Sequence, residues 1–171
     1  MATLANGHSY FFLRLTGPFG LGHIGWGLQF ARHHWLFGSL ENQDGKMSVG
    51  RNGDNDYWWS WSHSEAEMFW HMRTMLRAEQ LCDRAHIAPY TYYKKIRVRR
   101  AQPNKAEDVA YAQSGYGLTF NNCLDNTARI GDAYGVRVWS WSRHIPSLLN
   151  VNMSPKGFFF HTLHRYHHRS R

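Results

Sequence analysis

The sequence lacks the features that mark several large classes of protein. Its 171 residues include two cysteines, Cys82 and Cys123, too few for a disulfide framework, so free thiols and a reducing compartment are expected. No basic segment followed by an apolar run opens the chain, and no window approaches the roughly 18 uncharged apolar residues of a membrane span. We therefore expect synthesis in the cytoplasm without a signal peptide and no stable membrane insertion, with delivery outside by a signal-less route as the alternative.

Acidic residues are scarce, since 12 Asp and Glu stand against 20 Lys and Arg, for a formal net charge of +8. This balance predicts affinity for polyanions, which include acidic cell-wall polymer, membrane surface and nucleic acid, the last being less favoured. One basic cluster is expected to contact an anionic polymer, unless it is only a solvated edge: Lys94, Lys95, Arg97, Arg99 and Arg100. A His- and Arg-rich tail occupies about residues 154–171.

The length suits one catalytic domain, residues 1–171, with a core of its own. Apolar and aromatic segments predict the main strands: Tyr10–Leu15, His23–Phe30, Trp35–Leu40 and Tyr90–Val98. Capping patterns predict helices at Glu65–Asp83, from Asn104 to Gln113, from Cys123 to Tyr134 and from Ser154 onward. The expected fold is α+β, with an antiparallel sheet packed against helices.

The segment Gly20-Leu21-Gly22-His23-Ile24-Gly25 matches the dinucleotide-binding fingerprint. That fingerprint requires a helix after the glycines, and the glycines and aromatics that follow are poor helix formers. We predict instead a strand from His23 that returns through a turn centred on Arg32. Opposed residue numbers then sum to 64, so His23 faces Glu41 within about 5.5 Å, or Asn42 if the register slips by one.

Cys123 follows an apolar run and two asparagines, and it begins a predicted helix. A thiol there lies among unpaired backbone N–H groups at the positive end of the helix dipole, which favours thiolate and can bind an oxyanion. Inert packing is the plain alternative, because cysteine is among the most buried residue types. A histidine on a strand, a polar residue on its partner strand and this cysteine would form a Cys-His-polar triad.

Two motifs carry a resemblance to a known family: Gly22-His23-Ile24-Gly25-Trp26 with its hairpin, and Tyr116 to Asn122-Cys123 opening a helix. Together they resemble the circularly permuted papain-like superfamily, which includes lecithin:retinol acyltransferase-like proteins and permuted NlpC-type cell-wall peptidases. The resemblance implies Cys123 as nucleophile and His23 as base. The third member lies on the next strand, where the register favours Glu41 and leaves Asn42 and His34 as alternatives. Asn122 and Tyr116 would support the oxyanion site, with Asn122 chiefly a helix cap.

The function implied is that of a cysteine-dependent amide hydrolase, acting on peptidoglycan peptides through an acyl-enzyme on Cys123. A secreted effector is one setting in which such an enzyme would act. The alternatives are a thiol acyltransferase on lipid or amine acceptors, and a non-enzymatic polyanion- or nucleotide-binding module. No cofactor is expected, and no metal, because the other histidines lack the acidic or cysteine neighbours of a zinc site.

Overall fold

The computed structural model of the protein describes residues 3–16, 20–40, 57–74, 89–112, 122–136, 154–163 and 168–170. The strands in these ranges are β1 (Leu4–Arg14), β2 (His23–Ala31), β3 (His34–Leu40), β4 (Tyr57–Ser62), β5 (Tyr92–Ala101) and the short β6 (His168–Ser170). The helices are α1 (Glu65–Thr74), α2 (Pro103–Tyr111), α3 (Cys123–Tyr134) and α4 (Pro155–Gly157), which continues as a π-helical turn (Phe158–Thr162). The fold is therefore α+β, as predicted.

The strands form one antiparallel sheet in the order β4-β3-β2-β1-β5-β6. Each of the four main predicted strands is present, and β1 begins six residues earlier than expected, at Leu4. This order places β1 and β2 in the interior of the sheet, where a mostly apolar composition suits burial on both faces. The β2–β3 hairpin is therefore flanked by a strand on each side, β1 next to β2 and β4 next to β3.

The β2–β3 hairpin has the register predicted from a turn at Arg32. Pairs run from Gly25 opposite Ser39 to Gln29 opposite Trp35, and each pair of numbers sums to 64. The register shifts next to the turn, where Ala31 pairs with His34. The dinucleotide fingerprint is wrong for this chain, because its glycines lead into a strand and not into the helix that would bind a pyrophosphate.

Side chains alternate between two faces of the sheet. The α3 face is covered by α2, α3 and α4, and its core includes Phe11, Ile24, Trp26, Leu28 and Leu36. The α1 face is covered by α1 and Tyr90, and its core is Tyr10, Phe12, Trp35, Phe37, Met68, Met72 and Tyr90. The methionines predicted to be core residues of α1 are fully buried where the helix is described. Three layers result, with the sheet in the middle.

Glycines in β2 allow the α1 face to pack closely. A Cβ atom added to Gly27 would lie 2.5 Å from Sδ of Met68, and one added to Gly25 would lie 3.0 Å from the hydroxyl of Tyr90. Both positions point toward the α1 face. The two glycines therefore let Met68 and Tyr90 approach the β2 backbone.

The helix starts agree with the predicted capping patterns at α1, α3 and α4 and differ at α2. At α1, Ser64 Oγ accepts from the N–H of Glu67 at 3.0 Å, and Glu67 Oε2 accepts from the N–H of His63 at 2.8 Å, which forms a capping box. The predicted cap of α2 at Asn104 is wrong. That helix begins at Pro103, because proline at the first helical position needs no N–H partner.

Candidate active site

α3 begins at Cys123 and is capped by Asn122. The side-chain carbonyl oxygen of Asn122 accepts from the N–H groups of Leu124 and Asp125, at 2.9 and 3.0 Å. Gly135 ends the helix in the left-handed conformation, with φ of 110°. The cap occupies two of the amides expected to stabilise an oxyanion, while the N–H of Cys123 itself does not take part in it.

α3 lies along β2 in the same direction. Thr127 Oγ1 is 3.5 Å from the carbonyl oxygen of Ile24, and the Tyr134 hydroxyl donates to the carbonyl of Gln29 at 2.6 Å. Cys123 is one helical turn before Thr127, so it lies at the end of the sheet where β2 begins. Its thiol is free, 4% exposed and packed in the core of the α3 face.

His23 is held in a buried polar network with Ser39 and Tyr90. Nε2 of His23 is 2.9 Å from Oγ of Ser39, which also accepts from the Tyr90 hydroxyl at 2.8 Å. Oγ of Ser39 also lies 3.3 Å from the carbonyl oxygen of Ile24, and which of Ser39 and His23 donates to the other depends on the tautomer of the imidazole.

The side chains of His23 and Cys123 lie on opposite faces of the sheet. His23 shares the α1 face with Ser39, and its ring centroid is 6.1 Å from that of Tyr90. Cys123 packs on the α3 face, in the same cluster as Ile24, the next residue of β2. The fold brings the starts of α3 and β2 to one end of the sheet without bringing the two side chains together, and their catalytic pairing stays a prediction.

The other predicted triad members are placed as follows. Glu41, Asn42 and Tyr116 lie outside the described residues. His34 is exposed at the turn end of β3, where its ring centroid is 5.3 Å from that of His63, and it is therefore far along the hairpin from His23. It does not orient His23.

Ser39 is the polar partner of His23 that reasoning from the sequence missed. The register points from His23 to position 41, and Ser39 is the diagonal neighbour two residues earlier on the same face. Gly25 is directly opposite Ser39 and has no side chain, which leaves the imidazole a path to the hydroxyl. The sequence signal for this partner is a glycine two residues after the histidine, at Gly25, with a serine directly opposite that glycine on the next strand.

Lys94 does not belong to a basic surface, in contrast to its predicted role in polymer contact. It is 2% exposed, and Nζ donates to the carbonyl of Leu163 at 2.6 Å and lies 5.2 Å from the ring centroid of Phe159. Burial lowers the pKa of Lys94, since removal from water disfavours its charged form. The remaining members of the predicted cluster are exposed: Lys95, Arg97, Arg99 and Arg100.

A cleft of about 980 Å³ opens between α1 and β5 on the α1 face. Its aromatic lining includes Phe69 and Tyr93, whose rings meet edge to face with centroids 4.6 Å apart. Glu65, at the rim, accepts from the Tyr10 hydroxyl and from Lys95 Nζ at 3.1 Å. Partial burial opposes the ionisation of Glu65, but the hydrogen bonds from Tyr10 and Lys95 outweigh it, and its pKa is lowered.

The described residues contain no helix long and apolar enough to cross a membrane, and no group of three or more His, Cys, Asp or Glu side chains that could hold a metal ion. Of the predicted site residues, the structure describes Cys123, His23, Asn122 and His34. No protein-family model, curated protein or solved structure gives a match to this chain.

Proposed function

We propose that the protein is a cysteine-dependent amide hydrolase with Cys123 as nucleophile, acting on peptidoglycan peptides. The observation that carries the proposal is the placement of α3, which begins at Cys123 and lies along β2 with its start at the His23 end. A nucleophile at this position would place the oxyanion that forms beside the positive end of the helix dipole and the N–H of Cys123. Thiolate is the form that attacks a carbonyl carbon.

In this proposal, His23 is the base and Ser39 replaces Glu41 as the third member of the triad. The scheme uses the tautomer in which Nε2–H donates to Ser39 and Nδ1 takes the thiol proton. His23 is the first residue of β2, and Gly22 before it has no side chain. The imidazole must therefore turn around the start of the strand to come within hydrogen-bond reach of Cys123.

The reaction would proceed through an acyl-enzyme. Sγ of Cys123 attacks the amide carbonyl carbon, His23 gives its proton to the leaving amine as the C–N bond breaks, and water then hydrolyses the thioester. The N–H of Cys123 is one donor for the oxyanion. Asn126, one turn later on the same side of α3, is fully buried, and its amide nitrogen and oxygen have no hydrogen-bond partner in the described chain. Its Nδ2–H₂ group is the second donor in this scheme.

The unpaired amide of Asn126 supports its assignment as an oxyanion donor. A buried polar group without a hydrogen bond destabilises the folded protein by about 1 to 3 kcal/mol, and a bound oxyanion would supply the missing bond. The choice of peptidoglycan rests on the family resemblance and on the net charge of +8, which suits an anionic polymer. The resemblance and the charge fit an amidase and an endopeptidase equally well.

The test is digestion of purified peptidoglycan, with product masses locating the cleaved bond. The Cys123→Ala variant should give no products, while Cys82→Ser, the control for the second thiol, should give those of the wild type. Transfer of the acyl group to an added amine in place of water would identify a transferase. Products that persist in Cys123→Ala would exclude Cys123 as nucleophile.

A further inference from the structure

The cleft on the α1 face combines exposed aromatic surface with cations on both sides. Trp70 of α1 is 50% exposed and lines the cleft together with Arg73, one turn later. Across the cleft, β5 contributes Lys95 and Arg97. Arg97 pairs with His8 on β1, which also lines the cleft, so two basic side chains are neighbours there.

The cations of β5 continue beyond the cleft as a row. Lys95, Arg97 and Arg99 are exposed and alternate with the buried Ile96 and Val98. Every second residue of a strand repeats at roughly 6.6 Å, which is close to the separation of successive phosphates along an extended polynucleotide. The Nε–H of Arg97 donates to Asn6 Oδ1 at 3.2 Å, and this bond orients the guanidinium while using only one of its five N–H donors.

We propose that this cleft and the row of cations beside it bind single-stranded nucleic acid, with the phosphates along Lys95, Arg97 and Arg99 and a base stacked on Trp70. Aromatic side chains beside a positively charged groove are the combination that binds single strands without sequence preference. The row extends past the cleft, which favours a polymer over a mononucleotide. The site is on the face opposite Cys123 and is independent of the hydrolase proposal.

An acidic glycan is the main competing polyanion, and the row of cations at the spacing of phosphates favours a polynucleotide over it. The cleft also offers the hydroxyls of Thr74, Thr91 and Tyr93 as acceptors for sugar hydroxyls, so acceptors alone do not decide between the two polymers. The carboxylate lining the cleft, Glu65, already accepts from Tyr10 and Lys95. A phosphate chain needs donors and stacking surfaces, which the cleft supplies.

The experiment is fluorescence anisotropy with a labelled oligothymidylate, measured with the full chain over a range of salt concentrations. Arg97→Gln and Arg99→Gln should each weaken binding about fivefold at 0.1 M salt. Each should also reduce the slope of the logarithm of the binding constant against the logarithm of salt concentration by about 0.7 in magnitude. Trp70→Ala should weaken binding at least about fivefold, and Trp70→Phe should restore most of it. Arg129→Gln removes an exposed arginine of α3 on the other face and should bind as the wild type does, as should Cys123→Ala.

Three outcomes would overturn the proposal: no binding at 0.05 M salt, equal losses in Arg129→Gln and Arg97→Gln, or displacement by polyglutamate as effectively as by unlabelled oligothymidylate. A Trp70→Ala variant that binds like the wild type would remove the stacking part of the site. Circular dichroism of each variant shows whether it is folded. If Trp70→Ala is unfolded, Trp70→Phe still tests whether an aromatic ring at this position supports binding. Loss of oligonucleotide binding with digestion intact would leave the hydrolase proposal standing.

Discussion

Oγ of Ser39 lies 2.9 Å from Nε2 of His23, and the hydroxyl of Tyr90 donates to the same oxygen. One small side chain thus satisfies two larger polar groups in a place where water is excluded. Ser39 is fully buried and His23 is 2% exposed. Ser39 therefore contributes to the position of the imidazole in the core.

We expect Ser39→Ala to destabilise the protein by about 1 to 3 kcal/mol, because it removes the hydrogen bonds that Ser39 makes with His23 and Tyr90 in the core. Urea unfolding measures the difference. Ser9→Ala is the matched control, since Ser9 is also fully buried but its hydroxyl has no hydrogen-bond partner among the described residues. Its replacement should cost much less, and equal costs would show that the network contributes nothing specific.

The Asn122 cap provides a second prediction, in which stability and reactivity separate. Asn122→Ala should destabilise the protein by about 1 kcal/mol, because Leu124 and Asp125 lose the acceptor for their N–H groups. Asn122→Asp keeps an acceptor and should retain stability. Its negative charge beside Cys123 should, however, repel the charge that develops on the sulfur and slow alkylation of Cys123 by iodoacetamide. The account would be contradicted if Asn122→Ala slowed alkylation while Asn122→Asp left the alkylation rate unchanged.

Tight contact between Gly7 and α3 predicts a third effect. A Cβ atom at Gly7 would lie 2.3 Å from the Tyr134 hydroxyl and 2.8 Å from Cβ of Ala101. Gly7→Ala should therefore cost about 1 to 3 kcal/mol through overpacking. Adding Tyr134→Phe removes the nearest atom and should recover part of the loss in a double-mutant cycle. Strict additivity of the two substitutions would mean that the contact is not the cause.

Glu65 predicts a dependence of stability on pH. Its pKa in the folded protein is below the ordinary value of 4.5, so the stabilisation it provides is present above that value and is lost as pH falls through the lower folded pKa. Thermal unfolding should show Glu65→Gln less stable than the wild type near neutral pH, with the difference shrinking as acid is added below 4.5. The exposed Asp108→Asn serves as control and should show a smaller change. A difference independent of pH would exclude the ionic contribution.

The sequence was most informative where the pattern is local. The turn at Arg32 set the register of β2 and β3, and Ser64 with Glu67 marked the start of α1, because turns and caps depend on residues close together in the chain. The hydrogen bond from His23 to Ser39 could not be obtained by naming opposite residues, since it runs diagonally past a glycine.

Lys94 shows a second limit of sequence reasoning. The alternation of β5 puts Lys94 on the same side as the buried Ile96 and Val98, whereas charge alone groups it with Lys95 and Arg97. Its burial depends on the carbonyl of Leu163, 69 residues later, which accepts from Nζ. Such a distant acceptor has no signature near the lysine.

The central claim is that Cys123 and His23 act as a pair at the end of β2, although their side chains lie on opposite faces in the structure. The direct measurement is the rate at which iodoacetamide alkylates Cys123, with Cys82→Ser removing the second thiol from every variant. We predict that His23→Asn slows this alkylation, because the imidazole no longer takes the thiol proton. An alkylation rate that is the same with and without His23→Asn would contradict the pairing.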